Sequence, residues 1–191
     1  MKRLLTVLLS LILVFSFAGC GKKEEKTKEN GIDIEYYAKL GQMTDCEFTL
    51  SSDLDKLDGL VKESLDAEHT HDEDAVIYEQ TEHDGYTEIS AGDFKYFYVT
   101  AKKSDGIGLI VSLDGAYGFE QGAVAVDIRE KLASAGFEAE EKTAEKEQVF
   151  FLPSFAQFTS LSYNFSKNTV VFIFENNALC ACTLSGEDWS I

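Results

Sequence analysis

Two segments of this chain carry apolar residues at helical spacing, and each precedes several short strand-like runs separated by turn residues. The first helical pattern places four apolar residues on one face: Leu54, Leu57, Val61 and Leu65. It predicts a helix over about 53–66, with Ser51-Ser52 as its N-terminal cap. Helices that alternate with groups of strands favour the α+β class, here an antiparallel β-sheet with two packed helices.

The first helix is flanked by segments that alternate between apolar and polar residues. We expect strands in five places: Cys46–Leu50, and near 75–80, 86–90, 94–102 and 107–113. Asp84-Gly85 is a strong hairpin signal, because these residues tolerate the backbone angles of a tight turn. These runs predict an antiparallel meander.

A second helical pattern begins the other half of the chain. Its apolar face consists of Val124, Ile128, Leu132 and Ala135, and Gly136 is suited to end it. Asn176-Asn177 predicts a tight turn, since Asn tolerates positive φ. Further strands are expected near 148–152, 160–166, 169–175 and 178–184.

The two halves, about 45–115 and 116–186, are interpreted as a repeat of helix plus β-meander. Their turns at Asp105 and Asn176 are 71 positions apart, and the same offset relates Gly115 to Gly186. Apolar faces of helices and strands also match by chance, so two independent halves are the alternative.

A helix followed by a meander, twice over, is similar in layout to tandem β-lactamase-inhibitor-like domains and to many small lipoproteins. The resemblance is one of layout, and no sequence motif carries it. It implies that one face of each sheet is covered by its helix or by the neighbouring sheet. The other face would stay exposed and grip a partner protein.

The N-terminus has the pattern of an export signal. Met1-Lys2-Arg3 is positive, Leu4–Phe17 is apolar, and Ala18-Gly19 precedes Cys20. As a helix the apolar run would be about 21 Å long, short of a hydrocarbon core of about 30 Å. The segment Phe17-Ala18-Gly19-Cys20 resembles the lipobox of bacterial prolipoproteins. The resemblance implies cleavage before Cys20 and a diacylglycerol lipid on its sulfur; an ordinary secretory signal that ends beside a cysteine is the alternative.

The chain is therefore divided into a signal peptide (1–19), a lipidated cysteine with a charged tether (20–31) and a folded domain (32–191). Two acyl chains anchor a protein stably, which predicts an extracytoplasmic protein on the bacterial membrane. The net charge of −17 repels phosphates, so nucleic acid is excluded as a partner. The membrane, through the lipid, and an unidentified protein or small ligand are the expected partners.

Three cysteines remain besides Cys20, namely Cys46, Cys180 and Cys182. Residues two apart on one strand point to the same side, so Cys180 and Cys182 are not expected to bridge each other. A disulfide from Cys46 to either of them is the alternative to three unpaired core thiols, which we favour.

All three histidines, His69, His71 and His83, lie near one another in an acidic stretch. Imidazole and carboxylate groups bind zinc, which makes these residues weak candidates for a metal site. A His-x-His pair does not complete a four-coordinate site, so we favour a solvated loop. No cofactor is expected beyond the lipid on Cys20.

Two predicted loops carry aromatic residues close to glycine or proline. Tyr117 and Phe119 lie in one of them, and Phe155 and Phe158 in the other. Rings held on irregular backbone can anchor a partner protein. The alternative, which we favour, is that they close the ends of the sheet core.

Motifs of the common catalytic mechanisms, such as GxSxG, HExxH and the phosphate-binding GxxxxGK, do not occur in this sequence. We therefore predict that the protein is not an enzyme. The sequence favours a non-catalytic binding or interaction module on the membrane. A lipoprotein that binds a small ligand or a metal is the first alternative, and an extracytoplasmic hydrolase is the second.

Overall fold

The computed structural model describes residues 33–67, 76–145, 149–152, 157–187 and 189. These residues belong to one compact unit, Ile32–Ile191. The predicted signal peptide, the lipidated Cys20 and the tether lie outside the described residues. Within the described part of the chain, no helix has the length and apolar character needed to cross a membrane.

Within the described residues the helices are α1 (Ile34–Lys39), α2 (Leu54–Ala67), α3 (Ala125–Ser134) and a 3-10 helix (Thr100–Asp105). The N-terminal cap predicted for α2, Ser51-Ser52, is wrong, because Asp53 takes this role directly before the helix begins. Asp53 Oδ1 accepts from the backbone N–H of Asp55 at 2.9 Å, whereas Ser52 Oγ accepts from Thr49 N–H at 2.8 Å and so closes the preceding turn.

The strands, in chain order, are β1 Tyr78–Glu82, β2 Tyr86–Ala91, β3 Phe94–Val99, β4 Leu109–Ser112, β5 Gly115–Ala116, β6 Phe119–Glu120, β7 Glu140–Glu145, β8 Gln157–Phe165, β9 Asn168–Glu175 and β10 Ala178–Ser185. Eight of them form one antiparallel sheet in the order β1-β2-β3-β4-β10-β9-β8-β7, and β5 pairs with β6 beside it. The α+β class predicted from the sequence is confirmed.

The two halves of the chain have the same order of elements. A helix precedes four antiparallel strands in each, and the last strands, β4 and β10, pair at the centre of the sheet. Helices α2 and α3 begin at Leu54 and Ala125, and strands β2 and β8 begin at Tyr86 and Gln157, each pair at the offset of 71 residues seen in the sequence.

Each face of the sheet is covered by its own apolar cluster. Helices α2 and α3 contribute Leu57 and Ile128 to a cluster that includes Tyr163 and Phe172 on the same side. The residues on the opposite face, among them Phe97, pack with the segment 149–152 and with Trp189. The expectation that one sheet face stays exposed is therefore wrong, because an irregular segment packs on the face that lacks helices.

The segment expected as a strand near 148–152 is that irregular cover. Val149, Phe151 and Leu152 are buried without pairing to a strand. The strand that takes this place in the second half is β7, at the edge of the sheet beside β8. A short apolar run fits a cover as well as a strand, whereas the glutamates and lysine of an edge strand give no apolar alternation.

The first half also differs from the expected strands at two points. Cys46–Leu50 is not a strand; only Thr49 forms an isolated bridge, with Gln42. Positive φ angles at Asp45 and Ser51 prevent extended backbone on both sides of this segment. The strand expected over 94–102 ends at Val99, where the 3-10 helix begins.

A β-bulge in β10 separates the two neighbouring cysteines. The pairing of β10 with β9 shifts between Leu179 and Ala181. Cys182 consequently packs with the helix-side cluster, whereas Cys180 packs with the cluster on the opposite face. The expectation that both side chains point the same way is wrong, because the extra residue reverses the alternation along the strand.

We expect Gly106→Ala to destabilise the fold by about 2–4 kcal/mol. Gly106 has φ +77° and ψ −159°, a region that residues with a Cβ avoid, and an added Cβ would lie 2.7 Å from the backbone of Ser51. Urea unfolding followed by circular dichroism measures the loss. The matched control is Gly59→Ala inside α2, where nothing lies within 4 Å of the added carbon, and it should gain about 0.5–1 kcal/mol. Equal stability of the two variants would contradict this account.

Candidate ligand-binding cleft

A cleft of about 270 Å³ opens at the end of the sheet where β3 and β10 end and β4 and β9 begin. Because these four strands are neighbours in the sheet, their ends bring distant parts of the chain together. The walls come from the end of α1, the residues before α2, the 3-10 helix with 106–108, the β8–β9 turn and the segment after β10. We call this the Trp189 cleft.

Hydrogen bonds to backbone carbonyl oxygens fix the walls of the Trp189 cleft to one another. The N–H of Ser51 donates to Ile107 O at 2.9 Å, and the N–H of Gly186 donates to Gly108 O at 3.1 Å. On the side of α1, the buried Asn168 donates through Nδ2 to Ala38 O at 2.8 Å. Since each bond joins segments distant in sequence, the walls are fixed relative to one another by the tertiary fold.

Trp189 is the aromatic wall, and it is the only tryptophan of the chain. Its ring lies against the backbone of Gly108, so closely that a Cβ on this glycine would be 1.8 Å from the indole Nε1. The ring centroid is 6.4 Å from that of Phe97 in the sheet. Glycine at position 108 is therefore what allows the indole to lie on the sheet at this end.

Three lysines line the Trp189 cleft of this strongly acidic protein: Lys39, Lys102 and Lys167. Lys39 Nζ forms an ion pair with Glu35 Oε1 at 2.5 Å. Within the described part of the chain, Lys102 and Lys167 form no ion pair. Asp105 and Glu187 also line the cleft, and the hydroxyl of Ser104 lies 3.4 Å from Asp105 Oδ1.

The structure places one of the three metal candidates, His83, next to β2. Its Nε2 lies 3.2 Å from Glu88 Oε2, and its ring stacks on Tyr86 with 4.5 Å between centroids. Burial would raise the pKa of Glu88, but hydrogen bonds and charge from Lys95, with smaller contributions from Ser90 and His83, hold it below its usual value. His83 thus takes part in a surface network around Glu88.

The other two histidines lie outside the described residues, so the predicted juxtaposition of His69, His71 and His83 stays a prediction. Among the residues that the structure describes, no three His, Cys, Asp or Glu side chains are grouped as metal ligands.

The aromatic residues predicted to contact a partner are mostly core residues. Tyr117, Phe119 and Phe158 are each at most 7% exposed. Tyr117 donates its hydroxyl to Gln42 O at 3.1 Å, and Phe119 packs edge-on against Phe172. For these three rings the partner-binding expectation is wrong, because the strands and loops around them remove them from solvent. Phe155 lies outside the described residues.

The three cysteines of the folded domain, Cys46, Cys180 and Cys182, are unpaired thiols. The Cys46 thiol donates to Phe48 O at 3.2 Å, and its sulfur lies 3.6 Å from the hydroxyl of Tyr96. Burial raises the pKa of Cys46 and of Cys182, and it raises that of Cys180 to about 11. These thiols therefore stay protonated and weakly nucleophilic near neutral pH.

Comparisons with known protein families, with curated proteins and with solved structures found no match for this chain.

We expect the thiols of the folded protein to react slowly with an aromatic disulfide reagent at pH 8. With a pKa of about 11, roughly one part in a thousand of Cys180 is thiolate at that pH. Its rate should rise about tenfold per pH unit between pH 8 and pH 10. After unfolding in urea, Cys46, Cys180 and Cys182 should all react. In the folded protein, the kinetic phase that the variant Cys180→Ser lacks is the reaction of Cys180. Recovery of one thiol in place of three would mean that a disulfide exists.

We expect Gly108→Ala to displace the indole of Trp189 and to shift its fluorescence to longer wavelength. The added methyl carbon would lie 1.8 Å from Trp189 Nε1, so the indole ring must move away from the sheet and toward water. Loss of its contacts should lower the free energy of unfolding by about 1–2 kcal/mol. Gly186→Ala is the control, since nothing lies within 4 Å of its added carbon. Unchanged emission from Gly108→Ala would rule out this position for the ring.

Proposed function

We propose that this protein is a lipid-anchored, extracytoplasmic and non-catalytic binding module whose ligand binds in the Trp189 cleft. The observation that supports the proposal is the cleft itself. It is concave, it has a half-buried aromatic wall, and its charged side chains project from backbone that the sheet holds in place. Ligand sites commonly combine an apolar wall with a few fixed polar groups.

The anchoring half of the proposal is supported by the sequence around Cys20. Small residues directly before the cysteine, and an apolar run too short to span a bilayer, fit a lipoprotein precursor. Two acyl chains would hold the domain at the membrane surface. The charged residues of 21–31 would act as a spacer between lipid and domain.

The size and position of the cleft favour a small ligand over a partner that grips the sheet. Both sheet faces carry buried clusters, so neither offers the exposed face expected from the layout resemblance. A volume of about 270 Å³ lies just below the range of about 300–1,000 Å³ typical of drug-sized ligands. A molecule of metabolite size fits such a space.

A second candidate function, binding of a protein partner, is supported by three exposed apolar residues near an edge of the sheet. Leu65 at the end of α2 is 64% exposed, and Val76 and Ile77 precede the edge strand β1. The N–H of Tyr78 donates to Ser64 Oγ at 2.9 Å, which ties the helix to this edge. An edge strand can pair with an extended peptide.

Native mass spectrometry of the protein purified from its own host tests the proposal. The denatured mass should equal a chain that begins at Cys20 plus its lipid, and the native mass should include a further small molecule. Gly186→Phe should lose this extra mass, because its side chain would enter the cleft from a position where the Cβ meets nothing. Gly59→Phe on α2 is the matched control and should retain it.

Two results would contradict the proposal. A denatured mass without lipid would overturn the anchoring half. Equal native and denatured masses, together with unchanged Trp189 emission after the host's small-molecule extract is added, would overturn the binding half.

A further inference from the structure

From the residues that line the Trp189 cleft, we infer that it binds a small organic anion, with an apolar body beside Trp189 and an anionic group held by Lys102 and Lys167. The inference rests on the proposed function and specifies the chemistry of its ligand.

The charge of the cleft differs from the charge of the chain. The whole sequence has twice as many acidic residues as basic ones, 34 against 17, whereas the three lysines that line the cleft equal in number its two acids plus the Glu35 that pairs with Lys39. At physiological ionic strength, charges are screened over about 8 Å. A ligand inside the cleft therefore senses mainly the lining residues, and distant surface acids contribute little.

Two of the lysines are available for a ligand. Lys39 already pairs with Glu35, but within the described residues Lys102 and Lys167 have no carboxylate partner. An ammonium group forms its strongest hydrogen bonds with anionic oxygens. Since Lys102 belongs to the 3-10 helix and Lys167 to the β8–β9 turn, they approach the cleft from two different walls.

The apolar part of the ligand has a matching wall. Besides Trp189, the lining includes Leu40, Leu50, Val99 and Ile107. Leu40 is 56% exposed, so part of this apolar lining faces water. An aromatic ring or short alkyl group would remove water from these surfaces, and an indole face favours stacking with a planar group.

Titration with a series of phenyl compounds tests the inference, with Trp189 emission and calorimetry as readouts. The series is 3-phenylpropionate, phenylalanine and phenethylamine, which share the phenyl body and differ in charge, together with inorganic phosphate. We expect 3-phenylpropionate to bind at least about tenfold more tightly than phenethylamine or inorganic phosphate. The affinity for phenylalanine should lie between those for 3-phenylpropionate and phenethylamine, because its ammonium group approaches the lysines together with its carboxylate.

Two lysine substitutions assign the binding to the cleft. Lys102→Met with Lys167→Met keeps the length of the side chains and removes their charge, and it should weaken 3-phenylpropionate binding about tenfold or more. Lys62→Met, which removes one exposed lysine on α2, should leave the affinity unchanged. Urea unfolding of each variant confirms that it is folded.

The outcomes separate this inference from the proposed function. Equal or tighter binding of phenethylamine, or an unchanged affinity in the double lysine variant, overturns the anionic class. Retention of a cationic or neutral molecule from the host would overturn it too, but would leave the binding function standing. If no compound of the series binds while Gly186→Phe still loses a host-derived mass, the stated ligand chemistry is wrong and the site is right.

Discussion

The pairing of β4 with β10 is the contact on which the rest of this structure depends. Each half of the chain makes a four-strand meander, and this pairing joins the last strand of one meander to the last strand of the other. It turns two small sheets into one of eight strands. All four residues of β4 are buried, as expected for a strand with neighbours on both sides and with both faces covered.

A central strand buried on both faces requires two covers, and the chain supplies covers of different kinds. Helices α2 and α3 cover one face with regular apolar stripes. The other face is covered by the segment 149–152 and by Trp189. The bulge in β10 serves this arrangement, because it directs Cys180 to the second face and Cys182 to the first. Trp189 also borders the cleft at one end of the sheet.

The sequence predicted the parts of the fold that local patterns determine. Helical apolar spacing identified α2 and α3, and Asn176-Asn177 does adopt positive φ at both residues. Strand β7 was missed because it lies at an edge, where charged side chains show no alternation. The cover at 149–152 was assigned to a strand, since an apolar run has the same appearance in both settings.

The cleft could not be predicted, because sheet order alone brings its residues together. Lys39, Lys102, Lys167 and Trp189 come from four separate stretches of chain, and a surface lysine has no sequence pattern that marks a binding role. Gly106 and Gly108 were the available signals, since glycine often marks a close approach of backbone or ring. Which segments approach them depends on the pairing of β3, β4, β10 and β9.

Trp189 belongs both to the cover of the second sheet face and to the wall of the cleft. A ligand that packs against this indole therefore adds to the same apolar cluster that holds Phe97 and the segment 149–152 in place. Binding to the folded state alone stabilises that state in proportion to the logarithm of ligand concentration. The irregular cover is reached from Trp189 through Phe97, whose ring contacts both Trp189 and Phe151. In the proposed function, ligand binding and the packing of the apolar cluster on this sheet face would thus be linked through one side chain.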